Sequence, residues 1–267
     1  MDDIKKYTEA NRAAWNEAMP LHQKSNGSKW GENFSIPGYV VFRDPELQKL
    51  KELGISGKNI AHLCCNNGIE LMSLKNMGAD NCVGFDISEE AILEAESRTK
   101  SSGIECTFIC CDIYDIPSDY AGMFDIVYIS AGCLGWMPNL DMFFEKAGKL
   151  LKRAGVVFIY EIHPVSEMLP CDSDANLDPL KIFESYFKDE PYVENTGLDY
   201  VGKQSYDAKT QYWFVWTISD ILTGLISRSL SIRQFTEYSH DVSANHRRNQ
   251  DAGIGIPLSY ILIAEKS

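Results

Sequence analysis

The sequence predicts an α/β protein built on a mostly parallel sheet with helices on both faces. From residue 58 onward, short apolar runs alternate with helical patterns, as strand–helix–strand units require. Hydrophobic residues make up 45% of the 267, enough for a packed core and too many for disorder. That length suits one large domain with an insertion, or one and a half domains.

Taken in order, residues 3–18 read as a helix, because Ile4, Tyr7, Ala14, Trp15 and Ala18 recur at near-helical spacing. Residues 20–43 read as loop, rich in Gly, Ser and Asn, yet they hold Trp30, Phe34, Tyr39 and Phe42 and so should pack against something. Residues 44–54 form a short helix, with Asp44 as cap, Pro45 in the first turn and Gly54 as stop. Strands are expected at 60–64, 82–86, 106–110, 124–130 and 155–161, and helices at 68–77, 88–101 and 140–153. Ser88 and Gly103 read as the cap and stop of the second of these helices. Beyond residue 163 the pattern becomes mixed. A strand-like stretch at 212–217, a helix at 219–229 and strands at 230–238 and 257–264 follow. The chain therefore divides into an N-terminal cap (1–54), a βα core (55–163), an insertion (164–215) and a C-terminal part of the sheet (216–267).

Residues 58–86 carry the chemistry. An apolar run leads to Asn66-Asn67-Gly68, a helix follows, and a second run ends in Asp86. A carboxylate at the end of the second strand can accept hydrogen bonds from both hydroxyls of a ribose. The glycine pattern G-x-G-x-x-G is absent, with Cys64 and Asn66 at two places where close approach favours glycine. A pyrophosphate needs such glycines, so a nucleoside cofactor without phosphates fits better.

Composition excludes other classes. A net charge of −13 argues against nucleic acid, which calls for a concentrated basic patch. The start, MDDIKKYTEANRAAW, has no apolar core of a signal segment, and no apolar run approaches the roughly 20 residues of a membrane span. Eight cysteines without C-x-x-C spacing indicate no metal and a reducing cytoplasm.

Five elements in order resemble the class I S-adenosylmethionine-dependent methyltransferases over roughly residues 55–265. The cofactor turn aligns with His62-Leu63-Cys64-Cys65-Asn66-Asn67-Gly68, and the ribose acid with Asp86 in GFDIS. The adenine stretch aligns with Asp112-Ile113, and the fourth-strand signature with Phe124-Asp125-Ile126-Val127 followed by Ser130-Ala131-Gly132. The fifth-strand entry aligns with Leu150-Leu151-Lys152-Arg153-Ala154-Gly155. The resemblance implies a doubly wound, seven-stranded sheet, with PLSYILIAEK as its antiparallel last strand. His62, Cys64 and Asn66 depart from the family's acid and glycines.

The resemblance further implies S-adenosyl-L-methionine as cofactor and a small-molecule acceptor. His62, Cys64, Asn67, Gly68, Asp86, Ile87, Asp112, Ile113, Ser130 and Ala131 would contact the cofactor. His163, at the end of the fifth strand, is the candidate general base or substrate ligand, and Trp30, Tyr39 and Trp136 are candidate substrate contacts. Aromatics of the insertion, among them Phe183, Phe187, Tyr200, Tyr212 and Trp213, suggest that 1–43 and 164–215 form lids. Two other readings share the strand–turn–helix–acid unit: a nicotinamide-dependent oxidoreductase, and a protein that binds S-adenosylmethionine without turnover.

Overall fold

Among the described residues, nine strands form two sheets, and the larger positions everything that follows. The computed structural model describes residues 2–174, 176–198, 206–253 and 255–267. Its strands are β1 (Ile60–Leu63), β2 (Cys82–Asp86), β3 (Thr107–Cys110), β4 (Phe124–Ile129), β5 (Leu151–Ile162), β6 (Tyr192–Glu194), β7 (Gln211–Trp213), β8 (Leu230–Tyr238) and β9 (Ser259–Lys266). The main sheet runs β3-β2-β1-β4-β5-β9-β8. The pairs from β3 to β5 are parallel, and β9 is antiparallel to both β5 and β8. β6 and β7 form a separate antiparallel hairpin within the insertion.

The helices are α1 (Asp2–Phe34), α2 (Glu46–Leu53), α3 (Ile69–Asn76), α4 (Glu89–Ser102), α5 (Leu140–Leu150), α6 (Ile218–Ser227) and α7 (Arg247–Asp251). Ser88 Oγ accepts from the Ala91 N–H at the start of α4, and Gly103 closes that helix at φ +71°. Gly54 closes α2 in the same left-handed way.

The central strands β1, β2 and β4 are buried on both faces, which is why they read as apolar runs rather than alternations. One core cluster joins Leu63, Phe85, Val127, Phe143 and Tyr260, and a second joins Ile60, Leu50, Phe158 and Ile261. Each such side chain contributes roughly 1.5–3 kcal/mol by leaving water.

The structure corrects three expected boundaries. Residues 20–34 are not loop: α1 continues through Pro20 for 33 residues, with Met19, His22 and Phe34 buried along it. Pro45 precedes α2 as its N-cap rather than lying in its first turn, and no side-chain cap is made there. β5 begins at Leu151, not 155. Leu151 pairs with Phe124, and a bulge that sets Ala154 at φ +57° separates this pairing from the main ladder. Tyr200 lies outside the described residues.

Candidate active site

The strand order reverses between β1 and β4, and ligands in such sheets bind outside the carboxyl ends at that point. The turn between β1 and α3 occupies it. Three of its residues are left-handed: Cys64 at φ +56°, Asn66 at φ +48° and Gly68 at φ +78°. Asn tolerates this region through local hydrogen bonding, and the Asn66 side chain accepts from the Asn67 N–H at 2.7 Å. Only glycine serves at 68, where an added Cβ would lie 2.5 Å from the Phe108 ring.

Asp86 holds this turn from the end of β2. Its Oδ2 accepts from the Asn66 N–H at 2.8 Å and its Oδ1 from the Ser88 N–H at 2.9 Å. Burial raises its pKa, and the N–H donors of Ser88, Asn66 and Ile87 oppose that rise. A carboxylate offers about four acceptor sites, so hydroxyl donors can still be received. Ile87 follows half-buried. Asn67 donates to Glu94 Oε1 at 3.3 Å.

Asp112 caps the turn beyond β3 by accepting from the Tyr114 N–H at 3.0 Å, while Ile113 is buried. Its other oxygen accepts from Lys5 Nζ at 2.9 Å and Thr8 Oγ1 at 2.8 Å. α1 thus crosses the carboxyl ends of the strands. Farther along it, Asn16 accepts from Ser88 Oγ at 2.7 Å, and the Asn11 side chain pairs with the Tyr212 backbone through bonds of 2.7 and 3.0 Å. Nothing in the sequence marked Lys5 or Thr8 as partners of Asp112.

Beyond β4, Ser130 and Ala131 are half-buried and Gly132 stands at φ +88°. His62, fully buried in β1, meets Ser130 Oγ through Nε2 at 3.1 Å, and its Nδ1 has no partner. Burial pushes its pKa down to about 3, so the ring is neutral. His62 therefore supports Ser130 from within the sheet, and its ring is closed to solvent. Glu161, at the end of β5, accepts from the N–H groups of Gly132 (2.7 Å), Leu134 (2.8 Å) and Ile162 (2.6 Å). Burial pushes its pKa up to about 7 against those three donors.

His163 is buried, but its imidazole engages its own surroundings. Nδ1 accepts from the Val165 N–H at 3.1 Å, which leaves the proton on Nε2. Nε2 lies 3.0 Å from Glu237 Oε1, close enough for an ion pair but too far off axis to make a hydrogen bond. As placed, the Nδ1 lone pair is engaged by the Val165 N–H.

Trp136 stands between Trp15 of α1 (5.5 Å between ring centroids) and Trp213 of β7 (4.9 Å), both edge-on. Trp136 thus joins α1 to the insertion. The Tyr39 carbonyl accepts from Asn76 Nδ2 at 2.7 Å at the end of α3, and its hydroxyl accepts from Asn33 Nδ2 at 3.1 Å. Trp30 is half-buried on α1 with Lys29 Nζ 5.7 Å from its ring. Phe183 and Phe187 of the insertion are exposed rather than lining a pocket.

This geometry fits a phosphate-free nucleoside cofactor. Gly68 permits close backbone approach, Asp86 keeps acceptor capacity, and the small side chains at 130–132 leave room beside it.

Residues 60–155 match the family model described as a methyltransferase domain. An S-adenosylmethionine-dependent methyltransferase from Mesorhizobium loti superimposes with a TM-score of 0.60 at 20% identity, over 83% of this chain and 97% of that one. The seven-stranded sheet with its antiparallel β9 is the class I methyltransferase fold. The ubiquinone biosynthesis O-methyltransferase of Psychrobacter cryohalolentis is 25% identical over 167 residues, 60% of this chain and 63% of its own length. The ribosomal protein L11 methyltransferase of Actinobacillus pleuropneumoniae is 27% identical over 135 residues, 50% of this chain and 45% of its own. The chain thus spans about half to three-fifths of the length of these two relatives.

Proposed function

We propose that this chain transfers a methyl group from S-adenosylmethionine to a small-molecule acceptor in the cytoplasm. The observation that carries the proposal is the β1–α3 turn, left-handed at 64, 66 and 68 and tied to Asp86. It stands where the strand order reverses, on a class I methyltransferase fold. S-adenosylmethionine, when bound, supplies a methyl group on a sulfonium, open to in-line displacement. The chain's own task is to align the acceptor and exclude water.

Asp86 would receive the ribose hydroxyls, with the backbone of Asn67 and Gly68 beside the methionine portion. Asp112 would receive the adenine amino group in exchange for Lys5 or Thr8, with the Ile113 N–H at the ring edge. Ser130, Ala131 and Gly132 would floor the reacting centre, held by His62 from one side and Glu161 from the other. α1 and the insertion would act as covers, with Trp136 touching both. A small acceptor agrees with the charge of −13, which disfavours nucleic acid. Among the described residues, no helix is long and apolar enough to cross a membrane.

The engagement of Asp112 by Lys5 and Thr8 also favours a second reading, a cofactor-binding protein without turnover. Incubation with S-adenosylmethionine and a panel of small amines, phenols and thiols separates the two. Release of S-adenosylhomocysteine is the expected result. Binding without release across the panel would favour the second reading, and absence of binding would defeat both.

A further inference from the structure

A cavity of about 30 Å³ lies beside the end of β5, apart from the β1–α3 turn. Since a water needs roughly 10–15 Å³ measured this way, the cavity holds about two or three non-hydrogen atoms. Glu161, Glu167, Tyr260, Trp213, Phe214 and Trp216 line it. No Lys, Arg or His is among its described lining residues.

Tyr260 is fully buried, and its hydroxyl has no hydrogen-bond partner. An unpartnered buried hydroxyl is costly, and its retention calls for a partner that the protein itself does not provide. Glu167 accepts from the Trp213 indole N–H at 3.2 Å and keeps acceptor capacity beyond that bond. Glu161 is committed to three backbone N–H donors, so it contributes negative charge rather than a free acceptor. Burial pushes both carboxyls up to about 7, and the charge of Lys188, outside the lining, opposes that rise at Glu167.

The aromatic walls are fixed. Trp213 lies against Gly135, where an added Cβ would come within 2.4 Å of its ring, and Trp216 donates to the Met137 carbonyl at 3.1 Å. Phe214 stacks on Trp216 with centroids 6.1 Å apart. Rigid aromatic faces with carboxylates and no basic group attract a cation and repel an anion.

We propose that this cavity is a subsite for a small alkylammonium group, so that the methyl acceptor is an amine-bearing molecule. The proposal rests on the methyl-transfer reading above. The ammonium group would donate to Glu167 and to the Tyr260 oxygen, within reach of the Trp213 and Trp216 rings. These side chains hold the acceptor by its charge, and Trp136 links their wall to α1.

The test is a calorimetric titration of the full chain, with and without saturating S-adenosylhomocysteine, against methylammonium, methanol and acetate. Methylammonium should bind at least about tenfold more tightly than methanol, and acetate should not bind. Tyr260→Phe and Glu167→Gln should each weaken methylammonium by about tenfold. Tyr260→Phe removes an unpartnered hydroxyl and keeps the ring, so its melting temperature should stay level or rise. Equal binding of methylammonium and methanol, no binding of either, or unchanged methylammonium affinity in both variants would overturn the proposal. Binding of S-adenosylhomocysteine is read separately in the same series. Its failure would defeat the methyl-transfer reading, while the selectivity among the three probes would still report on the cavity.

Discussion

At Gly68, two constraints meet that a sequence shows only as one glycine. The left-handed φ of +78° disfavours any side chain, and Phe108 occupies the space where a Cβ would go. Gly68→Ala should therefore lose roughly 1–3 kcal/mol of stability, read by denaturant unfolding, and an unchanged midpoint would contradict the turn geometry. Cys64 and Asn66 teach the reverse lesson. Neither is glycine, yet both adopt the left-handed region. The conformation is set by contacts distant in sequence, above all Asp86 Oδ2 on the Asn66 N–H. Asp86 was legible because an acid closed an apolar run. Its second task as a bracket for the turn was not, and neither was the pairing of Asp112 with Lys5, which are 107 residues apart. The orientation of His163 was equally hidden, because it depends on Val165 and on Glu237 from β8.

Among the elements, the central strands were legible because burial on both faces leaves continuous apolar runs, from Ile60 to Phe158. α1 was legible only as far as Ala18. Pro20, Gly27 and Gly31 lower helix propensity, and the continuation depends on tertiary contacts such as His22 Nε2 with the Leu198 carbonyl at 2.9 Å. If α1 and residues 206–217 cover the cofactor, their amides should exchange more slowly when S-adenosylhomocysteine is bound. Protection confined to residues 60–130 would contradict that role. α2 carries a different test. Glu46 is buried against the Tyr128 hydroxyl, and burial pushes its pKa up to about 8, with nearby Glu70 adding to the rise. The folded value lies above the ordinary 4.5, so the native state keeps a proton that the unfolded chain gives up. The resulting stability is full below about pH 4.5 and is lost as pH rises toward 8. Glu46→Gln removes this loss, so it should gain on the wild type by on the order of a few kcal/mol between pH 4.5 and 8.5. Parallel unfolding curves at the two pH values would contradict the burial of an ionisable group there.

At the scale of the whole molecule, the sheet order places β1 and β4 side by side and opens one site between their carboxyl ends. Trp15 of α1 and Trp213 of the insertion, far apart in the sequence, meet at Trp136, an arrangement no local pattern could disclose. A ligand that binds only the folded chain stabilises it by mass action. At 100 times its Kd, S-adenosylhomocysteine should add roughly 2.7 kcal/mol, a rise of about 5–10 °C in melting temperature. NADH should add nothing, and the reverse pattern would restore the oxidoreductase reading. The most direct measurement is isothermal titration of S-adenosylhomocysteine into the wild type and Asp86→Ala, each checked for folding by circular dichroism. One site per chain is expected in the wild type, with about a 10- to 150-fold loss in the variant, from a charge-assisted contact of roughly 1.5–3 kcal/mol. Equal affinity in the two proteins, or no binding heat in the wild type, would contradict it.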